Sequence, residues 1–95
     1  PSKLVIRDLH LANQEEIYIA TDGTGVKIYN IREKTIKESN FNVTTLEFSK
    51  AKVHSVLKDN RGNTWLGCYQ KGVIMVFYGL ELTVTDYMLH TPTEK

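Results

Sequence analysis

"DNRGNTWLGCYQKGV", residues 59–73, is the stretch on which the fold turns. A polar turn leads into a short apolar strand that carries the chain's one Trp and one Cys. A second turn with glycine follows, and then another apolar strand. Asp59, Trp65 and Cys68 have the look of working parts of a chemical site. The same order of turn, strand, turn and strand also describes one piece of a repeating β structure.

Self-comparison favours the repeat. When the chain is slid on itself by 47 positions, "EIYIATDGTGVKIY" (16–29) lies over "NTWLGCYQKGVIMV" (63–76). Tyr18 meets Trp65, Ile19 meets Leu66, Ala20 meets Gly67, Gly25 meets Gly72, Val26 meets Val73 and Ile28 meets Met75. Upstream, with no gap, Ile6 meets Val53, Leu9 meets Val56 and Asn13 meets Asn60. The match is one of residue type and turn position more than of identity. A period of this length fits a four-stranded propeller blade, roughly 40–50 residues.

The local patterns agree. "LVIRDLHL" (4–11) and "VHSVLK" (53–58) are rich in β-branched residues and Leu; "IYIAT" (17–21) and "TWLGCY" (64–69) mix aromatic and branched residues, as strands prefer. "VKIYNI" (26–31) alternates, so one face meets water, whereas "VIMVFY" (73–78) is apolar throughout and suits burial on both faces. "TIKESNF" (35–41) and "LTVTDYML" (82–89) read as outer strands, whose polar side chains discourage stray pairing. Asp22-Gly23-Thr24-Gly25 and Gln70-Lys71-Gly72 bring glycine where a hairpin needs positive φ. Residues 32–34 and 78–81 are the next turns. A helix over 46–59 has no capping box, and its second half aligns with the strand at 4–11. The sequence therefore predicts an all-β chain of two four-stranded antiparallel blades, 1–50 and 51–95, with Trp65, Leu66, Ile19 and Val73 buried and Tyr18 partly so.

Composition narrows the function. The 95 residues suffice for one small domain with a limited core. Net charge is +1, and no basic block exceeds two residues, which argues against a nucleic-acid partner. The longest apolar run, "GVIMVFYGL", is too short to span a membrane as a helix. "PSKLVIRDLH" lacks the charged segment and long apolar stretch of a signal peptide, which leaves the compartment open for a chain cut from a longer protein. One cysteine excludes an internal disulfide.

"VHSVLKDNRGNTWLGCYQKGV" resembles the two-component regulator propeller repeat, in which an apolar strand ends in Asp and is followed by a Gly-Asn turn, Trp-apolar-Gly-Thr, a Gly pair and an apolar strand. "IYIATDGTGVKIYN" resembles the second half of that repeat, most closely at Ala20-Thr21-Asp22-Gly23. Departures are the turn Asn13-Gln14-Glu15-Glu16, without the Asp and Gly of the pattern, Cys68 in place of Thr, and Tyr69-Gln70 in place of small residues. The resemblance implies a segment of the periplasmic sensor region of a hybrid two-component histidine kinase and response regulator of Bacteroides type. It further implies a non-catalytic role in signal transduction, with oligosaccharide sensing as the associated function. The partners it implies are further blades of the parent chain or other copies of this one. A fragment of a sialidase-like or lyase-like propeller enzyme, or a propeller that only binds proteins, are the alternatives. Two blades alone leave both flanking faces apolar, because repeat architectures need about three units to bury a continuous core. The expectation is a fragment, or a chain that completes a ring with other copies.

No residue earns a catalytic, cofactor or metal role from the sequence. Read as a calcium loop from Asp59, the third position is Arg61 and the twelfth is Gln70, neither of them an anionic ligand. An Asx-type turn is the better reading of Asp59. "GNTW" (62–65) partly matches the Asp-box of sialidase-type propellers, itself a structural turn, with Asp59 one residue too far away. Trp65 suits either sugar stacking or packing between blades, and its alignment with Tyr18 favours packing. Cys68 has no His in a supporting motif and reads as a small buried residue. His10, His54 and His90 share no ligand spacing and do not align between repeats. Residues 22–25 are no dinucleotide loop, since no helix follows. "NVT" (42–44) is a glycosylation sequon, relevant only in a eukaryotic secreted protein.

Overall fold

Short β-branched and aromatic runs separated by glycine-bearing turns can satisfy their backbone only by pairing laterally, and the chain does so twice. The computed structural model describes residues 4–39, 41, 47–77 and 80–84; for residues 77 and 80–84 it describes the backbone alone. The strands β1 (Ile6–Leu11), β2 (Glu16–Thr21), β3 (Val26–Asn30) and β4 (Thr35–Glu38) form one sheet. A second sheet holds β5 (Val53–Lys58), β6 (Thr64–Cys68), β7 (Gly72–Phe77) and β8 (Leu80–Val84). Each sheet is antiparallel, with its strands adjacent in chain order. One turn of 3-10 helix, Phe48–Lys50, precedes β5. Among the described residues no helix is long and apolar enough to cross a membrane.

The 47-residue shift seen in the sequence recurs in backbone detail. β1 and β2 pair Ile6 with Thr21 and then Asp8 with Ala20, which leaves Arg7 as the extra residue of a bulge. β5 and β6 pair Val53 with Cys68 and then Ser55 with Gly67, which leaves His54 in the same role. Positive φ recurs at the same interval: Gly23 (109°) and Gln70 (61°), then Gly25 (73°) and Gly72 (79°). The turn before β2 closes through Ala12 N–H to the Glu16 carbonyl, 2.9 Å, and its counterpart through Asp59 N–H to the Asn63 carbonyl, 2.8 Å. The first turn thus adopts the repeat's closure without the Asp and Gly of the pattern; Asn13 Oδ1 accepts the Glu15 amide instead, 2.8 Å. That turn also differs in backbone, since Gly62 holds φ at 87° and its counterpart Glu15 has no positive φ, and the outer strands break the match further. Four residues join β3 to β4 and two join β7 to β8, so Lys27 faces Glu38 while its counterpart Ile74 faces Thr83, two positions earlier than the shift would give.

The sheets stack with unlike faces together. Directly opposed residues on antiparallel strands share a face. Asp8, Ala20 and Val26 therefore share one face of the first sheet with His10, Tyr18 and Ile28. Val53, Val56, Leu66, Cys68, Ile74 and Val76 share the opposite face of the second. Tyr18, Ala20, Val26 and Ile28 join those six and Ala51 in one buried cluster, with Ala12, Phe41 and Phe48 against its margin. Tyr18 meets Phe41 edge-on at 5.4 Å between ring centres, a favoured aromatic geometry.

Polar contacts help hold the two sheets in register. Asp8 Oδ2 accepts the Val56 amide, 2.9 Å. The Ala51 carbonyl accepts the amides of Gly23 (3.1 Å) and Gly25 (2.9 Å). Asp22 and Lys52 form an isolated antiparallel bridge. Gly25 is obligatory on two counts: its φ is 73°, and a Cβ there would strike the Phe48 carbonyl oxygen.

Two packing expectations need correction. Ile19 and Leu66 are buried, and Tyr18 is buried more completely than expected. Trp65 and Val73 are only half-buried. Their counterparts Tyr18 and Val26 are covered because the second sheet lies on them, and no described sheet lies on Trp65 and Val73. The first outer strand is also shorter than the sequence predicts, ending at Glu38, and the second starts at Leu80, inside the turn expected over 78–81. The remainder of 82–89, the sequon at 42–44 and His90 lie outside the described residues.

Candidate functional site

A bulge turns the side chain of its extra residue away from the regular alternation of a strand. Arg7 and His54 are the two bulge residues, 47 positions apart, and both face one cleft at the same end of the two sheets. Asp22 and Tyr69 follow the last residues of β2 and β6, are also equivalent, and line the same cleft. Their backbones are fixed alike: the Asp22 amide donates to the Val5 carbonyl and the Tyr69 amide to the Lys52 carbonyl, each at 2.8 Å. Lys52 and Val53 complete the lining of a cavity of about 290 Å³.

Within the cleft the Arg7 guanidinium pairs with Asp22 Oδ2 at 2.9 Å. The Lys52 ammonium lies 5.6 Å from the centre of the Tyr69 ring, over its π face. Tyr69 keeps 57% of its surface in contact with solvent. An exposed aromatic side chain, a carboxylate, two cations and an imidazole thus converge on one small concavity. That set can stack on an apolar ring face and bond to hydroxyl or anionic groups around it.

The residues singled out by sequence fall elsewhere or do other things. Asp59 closes its own turn: Oδ1 accepts the amides of Arg61 and Asn63, each at 2.9 Å, and Oδ2 accepts the indole Nε1–H of Trp65 at 2.8 Å. The Trp65 bond, with the backbone amides, holds the Asp59 carboxyl down to about 2 against the opposing effect of lost hydration. This is the expected Asx-type turn, with the indole added as a third donor. Asn63 beside it buries Oδ1 with no hydrogen-bond partner among the described residues. Trp65 does not pack between sheets; it stands half-buried on the outer face of the second sheet, beside Leu57 and Met75 in register.

Cys68 is buried, and loss of hydration pushes its thiol up to about 11. It occupies the position of Thr21, whose hydroxyl donates to the Gly25 carbonyl at 2.6 Å. A thiol cannot match that bond, and the second hairpin relies on the Lys71 amide bonding to the Cys68 carbonyl, 3.1 Å. Burial first, and then the charge of Glu16, raise the Tyr18 phenol, while the Thr64 hydroxyl draws it the other way. His10 pairs across from Tyr18 in the first sheet, and His54, at the bulge, is the histidine that lines the cleft. Among the described residues no three His, Cys, Asp or Glu side chains gather as metal ligands do.

Sequence reasoning missed Arg7, Asp22, Lys52 and Tyr69 as a group. The signal was available: repeat-equivalent positions that differ in chemistry inside a shared backbone. No family model, curated protein or solved structure matches the chain.

Proposed function

We propose that the chain is a two-blade segment of a β-propeller that recognises a ligand without transforming it, the ligand being an oligosaccharide. The observation that carries this reading is the pairing of Arg7 with His54 and of Asp22 with Tyr69. One backbone device, used twice, delivers different side chains to one cleft. Repeat proteins build recognition surfaces in this way, since the scaffold stays constant while exposed positions vary. Tyr69 suits the apolar face of a sugar ring, and Asp22, Arg7 and Lys52 suit its hydroxyls or an acidic substituent.

The resemblance to the two-component regulator propeller repeat is supported by the recurring bulges, turns and face-to-face order. It extends the proposal to a periplasmic sensor of a hybrid histidine kinase. Signalling would then follow from ligand-dependent contacts with other parts of the parent protein, not from chemistry in this segment. Calorimetric titration of the chain with a panel of neutral and acidic oligosaccharides tests the reading. The expected outcome is saturable binding by at least one, weakened tenfold or more by Tyr69→Ala. Absence of binding across the panel, binding indifferent to Tyr69→Ala, or release of shorter sugars during incubation would overturn it.

A further inference from the structure

The interface between the two sheets gives a template for a second one. Val53 and Val56 of the inner strand β5 are buried against the first sheet, with 0% and 4% of their surface exposed. Their counterparts Ile6 and Leu9, on the equivalent face of β1, are 50% and 58% exposed. Leu11 on the same face is also exposed. The complementary surface lies at the far side of the second sheet, half-buried at Trp65, Val73 and Met75, with no described sheet over it. Ser55, Trp65, Gly67, Val73 and Met75 occupy the positions of Asp8, Tyr18, Ala20, Val26 and Ile28, on the face of the first sheet that packs against the second. Leu57, beside Trp65 in register, is 52% exposed there. One chain therefore carries both halves of a contact that it already makes once internally.

We infer that a second copy of this chain docks its Leu57–Trp65 face onto the Ile6–Leu9 face of the first, in the geometry by which the second sheet sits on the first. The contact centres on the inner strands, where the internal interface is closest. Towards the outer strands Lys27, paired with Glu38, replaces the apolar Ile74, so the first sheet offers less apolar surface there. Because the two surfaces differ, the association is heterologous, and each copy retains one free surface of each kind until a ring closes. The contact stands apart from whatever the cleft binds.

Sedimentation of the chain, alone and as exposed-site variants, tests the inference. The wild-type mass should rise with concentration. Leu9→Glu and Leu57→Glu should each weaken association about tenfold or more, with circular dichroism unchanged because both side chains are exposed. An equimolar mixture of the two variants should recover association, stopping at a dimer, because each supplies the intact surface the other lacks. A wild-type chain that stays monomeric at all concentrations would overturn the inference. So would variants that associate as well as wild type, or a mixture that recovers nothing, the result required of an interface between like surfaces.

Discussion

Asp8 of the first sheet and Val56 of the second are joined across the sheet interface: one carboxylate oxygen accepts the Val56 amide at 2.9 Å, while the other accepts the amide of Leu9 at 3.0 Å. Leu9 and Val56 are repeat-equivalent, so a single side chain serves the same amide in two successive units. Both amides lie just past a bulge, where the ladder is interrupted. Asp8→Ala should cost about 1–3 kcal/mol, since it strands a partly buried amide. Asp8→Asn, which keeps an acceptor oxygen, should cost less. Urea melts of the two variants measure the difference, and equal losses would contradict the bonding scheme.

Asp59 supplies a pH signature. Its folded-state carboxyl is depressed to about 2. The contribution it makes is therefore complete above the ordinary aspartate range and is lost as pH falls through that range towards 2. Trp65 is the chain's one Trp and bonds to this carboxylate, so its fluorescence reports the event. The wild-type emission should shift with a midpoint near 2, and Asp59→Asn should abolish that transition. An unaltered transition in the variant would assign it to other groups.

Gln70 holds φ at 61°, the place filled by Gly23 in the first hairpin. A left-handed conformation costs a side-chain residue roughly 1–2 kcal/mol, and glycine gives part of that back as unfolded-state entropy. Gln70→Gly should stabilise the chain by about 0.5–1 kcal/mol. Gly25→Ala should destabilise it by more than about 1 kcal/mol, because strain adds to a collision with the Phe48 carbonyl. Thermal melts of both variants decide the signs.

Leu66 and Trp65 are neighbours on β6 that face opposite ways. Leu66 is fully buried between the sheets, and Leu66→Ala should cost about 2–5 kcal/mol. Trp65→Ala should cost less, because its face is half open. A larger loss at Trp65 than at Leu66 in denaturant melts would reverse the assignment of faces.

Cys68 should stay protonated and unreactive at neutral pH, since its thiol is buried and raised to about 11. Alkylation by iodoacetamide should be slow in the native chain and become fast in denaturant. Rapid native labelling would place the thiol at the surface.

Much of the architecture was legible in the sequence because hairpin turns punctuate it. Gly25 and Gly72 mark the same backbone need, and the strands between them alternate in register. The closure shared by Ala12 and Asp59 was harder to see, because hydrogen bonds between backbone groups leave little trace in side chains. The exposure of Trp65 was misread for a different reason. Aromatic character predicts packing but not which neighbour supplies it, and Tyr18 and Trp65 hold equivalent places under different cover. The cleft escaped because a bulge has no composition signature: Arg7 and His54 share no chemistry, and only the pairing of Ile6 with Thr21 and of Asp8 with Ala20 exposes their common role.

The Asp8–Val56 bond also gives the repeats a grammar. The acceptor is encoded in one unit and the amide it serves in the next, so neither unit is a complete sentence. A recombination event that duplicated the second unit in tandem would set Ser55, not an aspartate, before the next amide of this kind. The first unit, copied in front of either one, would bring its own acceptor. Order along the gene is thus constrained by a contact that neither repeat contains alone, and the two units, alike in backbone, are not interchangeable words.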